Sequence, residues 1–283
     1  MALKFGIELE CMGLTGNEIR EAIEEVGEGF GGLFGYRGGT HCVEEGVWRA
    51  ESDSSLTGSF CGWDRVGSHE IISPVMNGEE GKKTVKRVMK ALKRKGATVD
   101  RSCGTHLHVG FGHLARWARM SQAKKIEIGT RMQEIYSHFQ PVFDALSPNN
   151  RFASRNHYVG TCSWDTRYSA VNMQAFINYG RVEFRQPGFT LNPMVIEMWM
   201  GLIDSVVKAA MNENHASYHA DVQTFEKTLP AMLDFLNCGS KVSTLAVNRI
   251  NFCISQYQMN RSFRIEVADT LLSEANLALR GDF

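Results

Sequence analysis

The sequence predicts an α+β protein with a helical C-terminal part, and three short stretches carry most of that expectation. They are Glu8-Leu9-Glu10, His106-Leu107-His108 and Glu183-Phe184-Arg185, each a polar residue, an apolar spacer and a second polar residue. Each sits in an alternating run: Leu3, Phe5, Ile7 and Leu9; then Leu107, Val109 and Phe111; then Val182 and Phe184. Side chains two apart on a strand share a face, so each strand turns apolar residues to a core and ligand-type residues the other way. From Asn192 onward the pattern is mostly helical.

The remaining elements follow in order. Ile19, Ala22, Ile23 and Val26 make Asn17 to Val26 an amphipathic helix. Gly27 to Gly39 holds seven glycines in thirteen residues and reads as a loop or a pair of bulged strands; it has no Gly-Lys-Ser/Thr ending and is not a P-loop. Trp48 to Ser55 and His69 to Val75 read as strands joined by a glycine-containing turn. In Glu79 to Lys95, Val85, Val88, Met89 and Leu92 form a helical stripe that Gly96 stops. This helix carries eight Lys or Arg residues from Lys82 to Lys95, a pattern that favours a solvated face over a docking surface. A long helical stretch runs from about Leu114 to Leu146, bent near Pro141. Tyr158 to Asn178 is mixed, Gly180 turns into the Glu183 strand, and Asn192-Pro193 starts a helix with an N-cap and a first-turn proline. No linker composition or repeat interrupts the chain, so one domain over 1–283 is expected, with a sheet-bearing core over 1–192 and a mainly helical part over 193–283.

Composition narrows the function classes. With 43% hydrophobic and 22% charged residues and zero formal net charge, the chain is an ordinary globular protein rather than a dedicated polyanion binder. The seven cysteines are scattered without a CxxC pair, which predicts reduced thiols in a cytoplasmic setting and argues against zinc-ribbon and thioredoxin chemistry. The N-terminus enters a strand pattern at once, with no apolar leader core. The apolar stretch Met194 to Met211 is broken by Glu197, Asp204 and Lys208, so it reads as a buried helix and no membrane association is expected.

Glu8 and Glu10 repel each other at neutral pH unless a cation or an arginine lies between them. Taken alone they also fit an exposed edge strand, but Phe5, Ile7 and Leu9 favour a covered one, where uncompensated acids are costly. An His106/His108 pair alone is as consistent with a core or surface pair as with ligands; beside carboxylates it suits Mn²⁺ or Zn²⁺ and tolerates Mg²⁺. Glu183 adds a metal-type ligand, and Arg185 a forked cation suited to phosphate or, alternatively, to a cross-strand salt bridge. Asp53 and Glu70 are further acids at strand ends.

In order, Phe-Gly-Ile-Glu-Leu-Glu, Asp53-Ser-Ser-Leu, Glu70-Ile-Ile-Ser-Pro, Cys103-Gly-Thr-His-Leu-His-Val-Gly, Tyr168-x-x-x-Asn172 and Val182-Glu-Phe-Arg resemble the amidoligase family. That family is distantly related to glutamine synthetase and the glutamate–cysteine ligases, and the resemblance spans about residues 3 to 192. It implies a glutamine synthetase catalytic-domain-like fold: a curved, mainly antiparallel sheet with the active site on one face and helices on the other. It implies an ATP-dependent carboxylate–amine ligase that forms an amide through an acyl phosphate, with ATP and Mg²⁺ or Mn²⁺ as cofactors. Glu10, Asp53 and Glu70 would match the metal site nearer the acceptor carboxylate. Glu8, Glu183 and one histidine, with His106 favoured, would match the site holding the nucleotide phosphates. His108 would face substrate or phosphate, Arg185 the transferring phosphoryl group, and Arg155 (rather than Arg151) a phosphate or carboxylate. Catalytic roles would fall to Arg185, Glu70 and Asp53, while Tyr168 and Asn172 would be structural or substrate-orienting. The partners implied are a small-molecule or peptide carboxylate and an amine donor, with a macromolecular acceptor left open by the basic helix. Two other readings remain: a carboxylate or guanidino kinase on the same sheet face, and a catalytically silent metal-binding or interaction module.

Overall fold

In a computed structural model, the described residues are 4–34, 46–51, 56, 62–100, 102–111, 113–147, 162–165, 167–188, 190–212 and 222–256. Among them run strands β1 (Lys4–Leu14), β2 (Phe30–Phe34), β3 (Trp48–Glu51), β4 (Gly67–Ile72), β5 (Met76–Asn77), β6 (Thr105–Gly110), β7 (Cys162–Ser163), β8 (Val171–Asn172) and β9 (Arg181–Phe184). The helices are α1 (Gly16–Glu24), α2 (Gly78–Lys95), α3 (Ala115–Arg119), α4 (Gln122–His138), α5 (Gln140–Leu146), α6 (Phe176–Tyr179), α7 (Pro193–Met211), α8 (Leu229–Phe235) and α9 (Ser240–Gln256).

The strands form one open mixed sheet in the order β2-β3-β4-β1-β6-β9-β8-β7, with β5 also on β1. The neighbours from β3 to β8 are antiparallel, and the outermost pairs β2–β3 and β7–β8 are parallel. The chain is therefore α+β. β1 lies at the centre, and its register is fixed by alternation. Phe5, Ile7, Leu9 and Cys11 are buried, as are their cross-strand neighbours Ile71, Leu107 and Val109. A one-residue slip would forfeit about 1.5–3 kcal/mol for each large side chain turned to solvent. It would also drive Glu8 and Glu10 into an apolar layer, where an unpaired charge is costlier still.

Sheet and helices share a hydrophobic cluster that runs from Phe5 through the α2, α4 and α7 side chains to Ile250 of α9. Helix α1 starts on a capping box: the Glu18 N–H donates to the Thr15 hydroxyl at 3.2 Å, and the Glu18 carboxylate accepts from the Thr15 N–H at 2.8 Å. Helix α2 buries the expected Val85, Val88, Met89 and Leu92. Its basic face is more than a solvated one, because Lys82, Lys83, Lys86, Arg87, Arg94 and Lys95 all hold carboxylates. Lys86 reaches Glu197 of α7 at 2.6 Å, and Lys241 of α9 pairs with the same carboxylate. The single bent helix expected over 114–146 is instead three. Ser121 caps α4 by accepting from the Lys124 N–H at 3.2 Å, and Pro141, which lacks an N–H, lies in the first turn of α5 rather than bending a continuous helix. Asn192 caps α7 as its sequence suggests, accepting from the Met194 N–H at 3.0 Å. No helix among the described residues is long and apolar enough to cross a membrane. Cys11, Cys103, Cys162, Cys238 and Cys253 form no disulfide.

His69 lies on the apolar side of β4, fully buried, with its Nε2 3.2 Å from Cys11 Sγ. Burial pushes its pKa from 6.5 down to about 4. The unfolded chain thus takes up a proton that the folded chain refuses, so stability is full above pH 6.5 and is lost as the pH falls toward 4. At about pH 5 this group alone costs roughly 2 kcal/mol. Urea unfolding of the natural chain and of His69→Leu at about pH 7.5 and pH 5 is expected to show an acid loss smaller by about that amount in the variant.

Candidate active site

The polar face of the sheet is assembled by register. Across the strands, Glu8 of β1 stands beside His106 of β6 and Ile72 of β4, while Glu10 pairs with Glu70, which in turn pairs with Glu51 of β3. One step along, Gly6 faces His108, His108 faces Glu183 of β9, and Glu183 faces Asn172 of β8. Residues more than 170 positions apart thereby meet on one surface.

Glu8 is the hub. One carboxylate oxygen lies 2.9 Å from His106 Nδ1 and the other 2.9 Å from His108 Nε2. His106 Nδ1 is also 3.5 Å from Glu183 and 3.9 Å from Glu70, and its Nε2 is 3.8 Å from Glu10. Arg185 pairs with Glu183 Oε1, and the Asn172 amide donates to Glu183 Oε2 at 2.7 Å. Glu10 is buried and accepts from the Gly104 N–H. A Cβ at position 104 would stand 3.3 Å from both Glu10 Oε2 and His106 Nε2, a tight contact that would push these side chains by a few tenths of an ångström and that glycine avoids.

Charge explains the titration of these groups. Burial opposes ionisation of Glu8, but His108 and His106 outweigh it and hold the carboxyl well below its ordinary value. Burial likewise opposes protonation of His108, yet Glu8 and Glu183 raise its pKa. Glu183 is lowered against its own burial by His108, His106 and Arg185.

Among the described residues, two groups have donor atoms close enough to hold a cation: Glu8, His108 and Glu183 in one, and Glu8, Glu70 and His106 in the other, with donors within 4.8 Å of one another in each. They share Glu8. Imidazole with carboxylate oxygen is a donor set that fits Mn²⁺ or Zn²⁺ and accommodates Mg²⁺. Of the residues singled out from sequence, Glu8, Glu10, Glu70, His106, His108, Glu183 and Arg185 thus converge. Glu10 belongs to neither group. Asp53, Arg151 and Arg155 lie outside the described residues. Tyr168 is half exposed beneath the Arg167 guanidinium rather than among the acids.

The sequence reading passed over Arg49 and Glu51, which form an ion pair on the same face next to Glu70. Their signal was present: they alternate with buried Trp48 and Ala50 in the same polar–apolar–polar pattern. Gly104 was visible only as a motif letter, since nothing in the sequence says that a carboxylate would lean on its N–H.

Residues 1–158 match the model of a protein family described as "Putative amidoligase enzyme". The chain belongs to this family. The matched segment carries Glu8, Glu10, Glu70, His106 and His108, while Glu183, Arg185 and Asn172 of this amidoligase-family protein lie beyond it and are joined to the site by the β6–β9 and β8–β9 pairings. Membership supports a ligase-type enzyme. The chain is also similar to a solved structure described as "Crystal structure of novel glutamine synthase homolog", at 10% identity over 92% of this chain and 68% of that one, with a TM-score of 0.46. No curated protein matches it.

The geometry makes a prediction that needs no ligand. Because Glu8 does more than Glu183 to raise the His108 pKa, Glu8→Gln is expected to lower it. An NMR titration of the imidazole carbon-bound protons checks this, and an unchanged midpoint would contradict the hub role of Glu8.

Proposed function

We propose that this protein is an ATP-dependent carboxylate–amine ligase, with residues 1–283 as a single catalytic unit acting on soluble substrates in the cytoplasm. The observation that carries the reading is the Glu8 carboxylate at 2.9 Å from each of two imidazoles, with Glu70 and Glu183 within reach of the same histidine, in a member of a family described as amidoligases. The polar face suits a reaction that gathers negative charge and uses no side-chain nucleophile.

In this reading Glu8, His108 and Glu183 would hold one divalent cation, Mg²⁺ or Mn²⁺, and Glu8, Glu70 and His106 a second. When bound, the ions supply Lewis acidity and charge neutralisation for the phosphates and the acceptor carboxylate. The remaining work falls to the chain. The acceptor carboxylate oxygen attacks the γ-phosphorus, ADP leaves, and an acyl phosphate results. The amine nitrogen then attacks the acyl carbon, phosphate departs, and the nitrogen loses a proton as the amide forms. Arg185, oriented by its ion pair with Glu183, would stabilise the transferring phosphoryl group. Glu70 provides a carboxylate to the acceptor side, joined in the proposal by Asp53, while Arg155 is proposed to contact phosphate or carboxylate. Asn172 is a positioning residue: its oxygen accepts from the Gln174 N–H, while its amide N–H occupies one Glu183 oxygen and leaves the other to Arg185 and His106. The acid is proposed to be a small molecule or a peptide, with a macromolecular acceptor also accommodated.

ADP release from ATP with Mg²⁺ or Mn²⁺, screened against paired carboxylates and amines, tests the proposal. Stimulated turnover is expected with at least one acid–amine pair. Glu8→Gln and Arg185→Lys should each lower it by about 100-fold or more. Absence of any stimulating pair, with basal hydrolysis indifferent to Glu8→Gln, overturns the reading. Asn172→Ala is expected to weaken Mn²⁺ binding, read by calorimetry without nucleotide, by roughly 10–100-fold while leaving the fold intact.

A further inference from the structure

Away from the polar face, between β1, β6 and the helices α2 and α7, lies a cavity of about 170 Å³. Its floor is apolar: Phe5, Leu107, Val109, Met200 and Ile203 line it. Phe5, Leu107 and Val109 occupy the strand positions that alternate with Glu8, His106 and His108, so the floor looks away from the carboxylate cluster, although His108 also contributes to the wall. An apolar cavity of about 150 Å³ accepts a benzene ring, so this one has room for a branched aliphatic, thioether or phenyl group.

The mouth is charged and balanced. Lys82 bonds Glu79 at 2.7 Å on α2, and Lys208 pairs with Asp204 on α7; all four residues line the cavity. An anionic head alone would meet two carboxylates there, and a cationic head alone two ammonium groups. A head carrying both charges can give its carboxylate to the lysines and its ammonium to the acids, keeping every charge paired as it leaves water.

The geometry points to a second ligand site here, for an α-amino acid with an apolar side chain of leucine, methionine or phenylalanine size, seated with its side chain on the strand floor and its zwitterionic head between α2 and α7. The ligand makes and breaks no covalent bond there. Apart from His108, which borders both, the site shares no residue with the ligase reading, and it needs neither nucleotide nor metal.

Calorimetry on the full chain without metal or nucleotide tests this, titrating L-leucine, L-methionine and L-phenylalanine beside 4-methylpentanoate and 3-methylbutylamine. At least one amino acid is expected to bind saturably with one-to-one stoichiometry. Each single-charged analogue should bind at least about tenfold more weakly. Ile203→Trp, which fills the cavity, should abolish binding. Lys208→Met, at a half-exposed position, should weaken it by severalfold without lowering the melting temperature of the free chain. If Ile203→Trp does not fold, Met200→Phe and Lys208→Met decide the matter. Glu51→Gln, on the polar face and away from His108, should leave binding unchanged. No saturable binding by any of the three amino acids, equal binding of the single-charged analogues, or binding that survives Ile203→Trp overturns the proposal. Loss of binding in Glu51→Gln also overturns it, by placing the amino acid on the polar face. None of these outcomes depends on whether ATP is turned over.

Discussion

The site depends on one electrostatic constraint: Glu8, Glu10, Glu70 and Glu183 are gathered on one face of a sheet and must not face one another unpaired. Without added ions the chain meets this demand with its own groups. Two imidazoles hold Glu8, the Gly104 N–H holds Glu10, and Arg185 with Asn172 holds Glu183. The same constraint explains why burial fails to protonate Glu8 and Glu183, because nearby imidazoles and the guanidinium outweigh desolvation. A cluster of carboxylates so arranged favours added cations, through which the proposed reaction would meet phosphate.

The other face of the same strands supplies the rigidity. Ile7, Leu9, Leu107, Val182 and Phe184 are buried in the cluster shared with α2, α4 and α7. Shifting a strand to relieve the acids would cost several buried side chains at once. Beneath the strand end that bears Arg185, Gln186 is fully buried and donates to Asp144 at 2.6 Å, which also accepts from Gln140 at 2.7 Å. Around α7, Glu197 is mostly buried yet doubly paired, by Lys86 and Lys241, which ties α2, α7 and α9 together through one carboxylate. Truncating that carboxylate leaves two cations facing each other, so the pairing contributes to helix arrangement more than its separate distances suggest.

Much of this was legible in the sequence where the period was clean. The alternation around Glu8, His106 and Glu183 placed three strands and their functional faces, and Asn192-Pro193 announced the start of α7. Legibility failed where two signals competed. The apolar pattern across 114–146 continued through Ser121 and Phe139, but the Ser121 cap and the position of Pro141 divide it into three helices. Arg49 and Glu51 carried the pattern of the other site strands but on a short strand of four residues, too brief to stand out. Among the α2 cations, Lys86, Arg94 and Lys95 read as solvated because their partners Glu197, Glu25 and Glu21 are far away in sequence.

By itself the sequence determined which residues share a face, because a two-residue period fixes that locally, and it determined that carboxylates, imidazoles and a guanidinium are the residue types held on that face. Only the tertiary structure decided who meets whom. Strand order sets Glu8 between β4 and β6, and register sets His108 against Glu183 and leaves Glu10 on a backbone N–H rather than in either candidate cation group. The reason is that pairing partners are chosen by packing across the whole sheet, where sequence separation carries no information about distance.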